Sequence, residues 1–301
     1  MHKLQSSSMT TVMYTLFALL AFAANSVLCR LALGTNSIDA NSFTIIRLIS
    51  GALTLWLMVH LSARPAEPKS NSTTPLPPLM LFIYAATFSF AYLKLDAGIG
   101  ALVLFGSVQI TMMLVSLYLG DRFRARQYVG LLLALSGLGY LVWPSEETTQ
   151  TELIHAQVST LGFTLMAISG VAWGAYTLMG KNSSDPLQDT ASNFLKSLPY
   201  TVLLLAIFLL KPAHISAWGF TLAVITGAIT SGLGYAIWYR ALPHLARIHA
   251  GVLQLTVPFL AALGGIFFLG EAITQKLIVS LAVVSLGIFL VIYSQEKRTK
   301  R

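Results

Sequence analysis

The chain has 301 residues, 55% of them hydrophobic and only 10% charged, with a formal net charge of +8 and a mean hydropathy of +0.73. A soluble domain carries about 25% charged residues, so no water-facing fold could cover itself with this composition, and lipid must replace water over much of the surface. The basic residues sit between apolar runs and at the tail, not along one stripe, which argues for membrane topology and anionic-lipid contact and against nucleic-acid binding, while the single cysteine, Cys29, excludes an intrachain disulfide and any CxxC metal or redox site.

Ten apolar stretches approach the roughly 20 residues needed to cross a bilayer as helix. They lie near 11–29, 41–61, 78–94, 98–119, 127–143, 158–180, 191–210, 217–239, 247–269 and 275–294. The fold class expected is an all-α membrane protein. In the first run Ala21-Phe22-Ala23 follows Lys3 and resembles a signal-peptidase site. The apolar run continues through Val27, Leu28 and Cys29, so an uncleaved first helix is the better reading.

Polar groups inside spans are costly unless they face protein or water, so they mark candidate cavity walls. Span 1 offers Asn25, and span 4 offers Gln109 beside Ser107 and Thr111. Span 6 offers Trp173 and Tyr176. Span 8 offers Thr230 and Ser231, then Tyr235, Trp238 and Tyr239 on one helix face. Tyr235 lies a turn deeper and is read as cavity lining; for Trp238 and Tyr239 an interfacial belt weighs as much as a cavity wall. Span 9 offers Gln254, and Pro258, which would interrupt that helix as a packing kink or as a gating hinge. For Gln109 and Gln254 an interhelical hydrogen bond and a substrate contact weigh evenly.

Arg47 and Lys196 are the two charges placed inside spans. Each lies within two turns of an end, so snorkelling to the headgroups is the default for both. A contact with an anionic group, carboxylate or phosphate, is the alternative and the stronger one for Arg47. All eleven acidic residues fall in loops or at span ends. A carboxylate proton relay therefore has no carrier, and His249 is the sole titratable candidate near a span interior. Asp121 and Glu271 each precede a helix, where a carboxylate favours the positive end of the dipole.

The chain is also a duplication. Leu119-Gly120-Asp121 and Leu269-Gly270-Glu271 each join two apolar runs, and Gly137 and Gly287 keep the same shift of 150 residues. At a shift of 149, Thr15-Leu16, Ala18 and Ala23 align with Thr164-Leu165, Ala167 and Ala172, and Arg47 with Lys196. The two units are 11–143 and 158–294. Five spans per unit reverse the second relative to the first, giving an inverted repeat. With the N-terminus inside, 13 Lys and Arg residues fall on inner segments and 4 on outer ones, which places both termini in the cytoplasm. Small residues such as Gly130, Gly137, Ala262 and Gly264 read as close helix contacts, within the chain or in a homodimer.

These residues resemble the drug/metabolite transporter superfamily, of the EamA-domain kind. The resemblance rests on Ala24-Asn25, Arg47-Leu48, Ala97-Gly98-Ile99-Gly100-Ala101 and Leu119-Gly120-Asp121 in the first half. In the second it rests on Ala172-Trp173-Gly174, Gly234-Tyr235, Tyr239-Arg240-Ala241-Leu242, Pro258 and Leu269-Gly270-Glu271. It implies ten helices, an inner-membrane location and passage of a small-molecule substrate. No cofactor and no metal is expected. A membrane-embedded enzyme lacks support, since no HExxH, GxSxG or His-acid cluster occurs. A scaffold without transport is the other competing reading.

Overall fold

The computed structural model describes residues 2–62, 74–120, 125–143, 159–180, 183, 185–208, 213–241 and 253–299. The first unit supplies α1 (His2–Gly34), α2 (Ala40–Leu61), α3 (Leu76–Ala91), α4 (Ala97–Tyr118) and α5 (Ala125–Val142). The second supplies α6 (Thr160–Gly180), α7 (Pro186–Ser197), a 3-10 turn at Leu198–Thr201, α8 (Val202–Phe208) and α9 (Ala217–Ile225). A π-helical segment, Thr226–Leu233, continues α9 directly into α10 (Gly234–Ala241). Then come α11 (Thr256–Leu269) and α12 (Gln275–Thr299). There is no β-strand among the described residues, only one isolated bridge between Ile38 and Ile215. Five of the helical stretches are long and apolar enough to cross a bilayer, namely Met9–Gly34, Ala40–Leu61, Ala97–Tyr118, Thr160–Gly180 and Ala217–Ala241. Leu76–Ala91, Thr256–Leu269 and Gln275–Val291 are shorter apolar helices.

Local chemistry sets the helix ends. Asp39 caps α2 by accepting from the Ser42 N–H at 3.0 Å, and Ser216 caps α9 by accepting from Gly219 at 3.0 Å. Asp39 also accepts from the His214 N–H at 3.0 Å, so the turn before α2 is tied to the segment before α9. The two Leu-Gly-acid motifs share a backbone solution. Gly120 and Gly270 both have positive φ, +92° and +67°, and end α4 and α11 in the left-handed region that a side chain disfavours.

Leu16, Leu20, Leu53, Leu57, Phe267 and Phe268 are exposed, an outer surface suited to lipid. Inside, helices of the N-terminal half pair with helices of the C-terminal half. α3 and α4 both pack on α6, as α10 and α11 pack on α1. α2 packs on the π segment and on α7, α4 on α11, and α5 on α12. Glycines permit the last two contacts. A Cβ on Gly130 would meet the Gly287 carbonyl at 2.5 Å, and one on Gly98 would meet the Ala262 Cβ at 2.7 Å. Gly264 lies against Val27 in the same way, so these small residues serve contacts within the chain.

The structure departs from the expected spans in two places. The run 191–210 is not one helix: it starts at Pro186 and breaks at Leu198–Thr201, where Pro199 cannot donate to the ladder. The run 247–269 was expected to carry Pro258 in its middle. Instead α11 starts at Thr256, and Pro258 sits in the first turn, where a missing N–H costs little. Residues 242–252, with His249, lie outside the described residues, as do Asp121 and the segment 144–158.

Candidate functional site

The interior feature with the most chemistry is an arginine. Arg47 lies on the buried stripe of α2 with Ala40, Thr44, Gly51 and Leu55, opposite the exposed Ile49, Leu53, Trp56 and Leu57. It is 1% exposed. Snorkelling is therefore overturned for Arg47: nearness to a helix end gave it the reach, but its helix face turns it inward. Lys196, the other charge expected inside a span, is exposed on α7 as a snorkelling residue should be.

The guanidinium is held by hydroxyls and rings. Its Nε donates to Ser231 Oγ at 3.2 Å, and one terminal nitrogen donates to the Tyr84 hydroxyl at 3.0 Å. It stands 4.9 Å over the centroid of Phe88 and 5.3 Å from that of Tyr84. The other terminal nitrogen, Nη1, is buried without a hydrogen-bond partner. Among the described residues no carboxylate pairs with Arg47, and the ion pairs found there are those of Arg30.

Tyr84 is the hub. Besides Arg47, its oxygen accepts from Tyr235 Oη at 3.0 Å and from Asn25 Nδ2 at 3.4 Å. Asn25 Oδ1 in turn accepts from Thr230 at 3.1 Å and Ser231 at 3.5 Å. Trp173 completes the group, its ring 4.8 Å from Tyr84 and 4.7 Å from Tyr235. Asn25, Arg47 and Tyr84 come from α1, α2 and α3. Trp173, Ser231 and Tyr235 come from α6, the π segment and α10. The cluster thus joins the N-terminal and C-terminal halves of the chain, and Asn25, Arg47, Tyr84, Ser231 and Tyr235 are all nearly inaccessible.

The π segment delivers Thr230 and Ser231 to this place. π geometry is rare and concentrates at functional sites. Its close approach to α2 requires Gly227, where a Cβ would meet Ser50 Oγ at 2.0 Å and the Arg47 carbonyl oxygen at 2.2 Å.

The remaining expected residues lie around or beyond this core. Tyr176 packs on Trp173 at 5.5 Å and accepts from Asn193 at 3.4 Å. Trp238 is buried against Phe22 at 5.7 Å, not exposed in a belt, and Phe22 bridges it to Tyr235. Gln109 is buried on α4 and Gln254 half-buried before α11; no hydrogen bond found among the described residues joins either to the cluster. Tyr84 is the residue that reading the sequence missed. The available signal was a lone tyrosine in the middle of the apolar run Leu79–Phe90.

A second polar group closes one end of the molecule. Arg30, near the end of α1, contacts Asp96 at 3.2 Å and Glu271 at 3.4 Å and donates to the Tyr92 carbonyl at 3.0 Å. Both Glu271 oxygens accept from the Ala97 N–H, at 3.0 and 2.9 Å. Glu271 was expected to favour the start of the helix that follows it; it caps α4 instead, because the left-handed Gly270 turns it back across α11. Burial, and then the neighbouring Asp96, push its carboxyl up to about 7, against the Ala97 N–H and Arg30, which favour the ionised form. Among the described residues no cluster of His, Cys, Asp and Glu could hold a metal ion.

Comparison with known proteins places this geometry in context. Residues 160–293 match the model of the EamA-like transporter family. An uncharacterized protein of Pseudomonas aeruginosa is 44% identical over 291 residues, covering 97% of each chain. A probable amino-acid metabolite efflux pump of Salmonella typhimurium is 24% identical over 250 residues, 75% of this chain and 81% of that one. An uncharacterized transporter of Archaeoglobus fulgidus is 24% identical over 219 residues, 70% of this chain and 73% of its own. One solved crystal structure aligns with a TM-score of 0.57 at 16% identity, covering 91% of this chain and 97% of that chain, a likeness of fold.

Proposed function

The chain belongs to the EamA-like transporter family, and from that premise we propose that it carries a small metabolite, amino-acid-like or amphipathic, across the inner membrane by alternating access. The observation that carries this reading is the buried cluster around Arg47 and Tyr84, built from three helices of the first half and two of the second, α6 and the continuous helix Ala217–Ala241. A carrier needs a polar seat at the seam of its repeats, enclosed by protein, and must be able to expose it to either side in turn. The relative of Salmonella named as an amino-acid metabolite efflux pump supports the solute class.

The helix pairing supports the inverted five-helix repeats and the ten-span count. Exchanging span n with span n + 5 turns the most extensive cross-unit contacts into others that are also present: α3 with α6 becomes α10 with α1, α4 with α6 becomes α11 with α1, and α5 with α12 maps onto itself. In this reading Asn25, Ser231, Tyr235, Trp173 and Tyr176 line the solute's seat, with Trp238 behind Tyr235. Gln109 and Gln254 lie along the approach, and both termini are cytoplasmic. The break before α11, just ahead of Pro258, and the π segment are two places where helices can bend with little loss of regular hydrogen bonding.

Reconstituted vesicles test the proposal. Preloaded amino acids and amphipathic metabolites should show saturable counterflow, and Tyr235→Phe or Asn25→Ala should lower it. Flux equal to that of empty vesicles across the whole panel would overturn transport and leave a scaffold.

A further inference from the structure

Arg47 presents a donor surplus. A guanidinium has five N–H donors and no acceptor. Those on Nη1 find no partner although the residue is 1% exposed. The Tyr84 oxygen beside it already accepts from Arg47, Asn25 and Tyr235, more donors than two lone pairs can serve well. Three donor groups therefore converge where acceptors have run out. Buried charges in folded proteins are paired, but of the acidic residues described, Asp39, Asp96, Asp185, Asp189 and Glu271 sit at helix ends or in the first turn of α7, and Glu296 lies in the last turn of α12. The described residues thus keep a cation at the centre of the seam and supply no anion for it.

We propose that the open edge of the Arg47 guanidinium seats a carboxylate, so that the solute is a monoanion or zwitterion whose apolar body lies against Trp173 and Tyr235. This deepens the transporter reading and rests on it. A carboxylate offers two oxygens in the geometry of the guanidinium fork, and its acceptors answer the surplus donors of Nη1 and Tyr84. One negative charge balances one buried guanidinium. A phosphate monoester, with nearly two charges, would leave one unmatched, since no second cation is buried in the cluster. The rings of Tyr84, Trp173 and Tyr235, packed at tilts of 40° and 43°, form a largely apolar wall beside the charge, which suits an aromatic or branched side chain more than a second polar group.

The experiment is counterflow in vesicles with matched pairs: phenylacetate and phenylacetamide, L-phenylalanine and its amide, L-leucine and its amide, with phenyl phosphate as a further arm. The wild-type protein should exchange each acid at least tenfold better than its amide, and the acids should raise its thermal midpoint in detergent. Arg47→Lys, which keeps the charge and loses the fork, should weaken the acids about tenfold; Arg47→Gln should abolish the preference for acid over amide. Because the wild-type comparison needs no variant, a misfolded Arg47 variant does not rescue the proposal. Equal exchange of acids and amides, or preference for phenyl phosphate, overturns the carboxylate seat while transport stands. No flux of any probe above empty vesicles overturns both.

Discussion

Replacing Gly227 by alanine puts the packing of the π segment on α2 to a direct test. The added Cβ would lie 2.0 Å from Ser50 Oγ and 2.2 Å from the Arg47 carbonyl oxygen. The serine can rotate away, but the carbonyl belongs to the backbone of α2. Reaching an ordinary carbon–oxygen contact of about 3.2 Å means parting the two helices by about 1 Å at their tightest point, and overpacking of this kind costs about 1–3 kcal/mol, sometimes more. Against it stands a gain of up to about 1 kcal/mol from alanine's helix propensity. The net expectation is a loss of about 1–2 kcal/mol, with Ser231 drawn away from Arg47. Gly139 is the control, since a Cβ there meets nothing within 4 Å; Gly139→Ala should be neutral or slightly stabilising. Thermal midpoints of the purified proteins in one detergent should fall for the first variant and not for the second. Equal midpoints for the two would refute the argument that glycine at 227 is required by close approach.

Tyr84→Phe strips the shared acceptor from Arg47, Asn25 and Tyr235, and should cost about 1–3 kcal/mol for leaving buried donors unmet, read as a lower unfolding midpoint together with lost counterflow. Lys196→Gln, on an exposed position, should change stability by less than about 0.5 kcal/mol. Glu271 gives a pH signature. Its folded value, about 7, lies above its ordinary 4.5, so its contribution to stability is complete below 4.5 and is lost as the pH rises through 7. The unfolding midpoint of the wild type should therefore drop across that interval relative to Glu271→Gln, and parallel pH profiles would contradict the raised value. Cys29, the single cysteine, is wholly buried. Its alkylation by N-ethylmaleimide should be slow at rest and change several-fold when a counterflow substrate is added, whereas a substrate-independent rate would count against opening of the cluster.

Part of the local structure was legible in repeated residues: Gly120 and Gly270 of the two Leu-Gly-acid motifs share the left-handed turn. The mid-span polar residues Asn25, Ser231, Tyr235 and Trp173 meet in one place, because a group excluded from hydrocarbon has few other places to go. Arg47 was misjudged because distance from a helix end says how far a side chain can reach, not which way it points. The stripe of Ala40, Thr44, Gly51 and Leu55 on its own face, opposite Leu53 and Leu57, held that information. Tyr84 was passed over because a tyrosine among phenylalanines reads as bulk until its hydroxyl is seen to collect three donors. The π segment had no visible cue, since an i to i+5 pattern differs from an α-helix by one residue and the stretch 217–241 holds no proline. Glu271's role as cap for α4 depends on a contact across 174 residues of chain, which no local pattern encodes.

The eight residues Thr226–Leu233 also set how this stretch tolerates changes in length. A π turn holds one residue more than an α turn. Deleting Ile229, whose side chain faces outward, would let the segment tighten into ordinary α-helix while Tyr235 and Trp238 kept their heading. The same deletion within α6 would swing every later side chain of that helix by about 100°, taking Trp173 off its ring partners. Among the long apolar helices, this is the one with slack wound into its backbone.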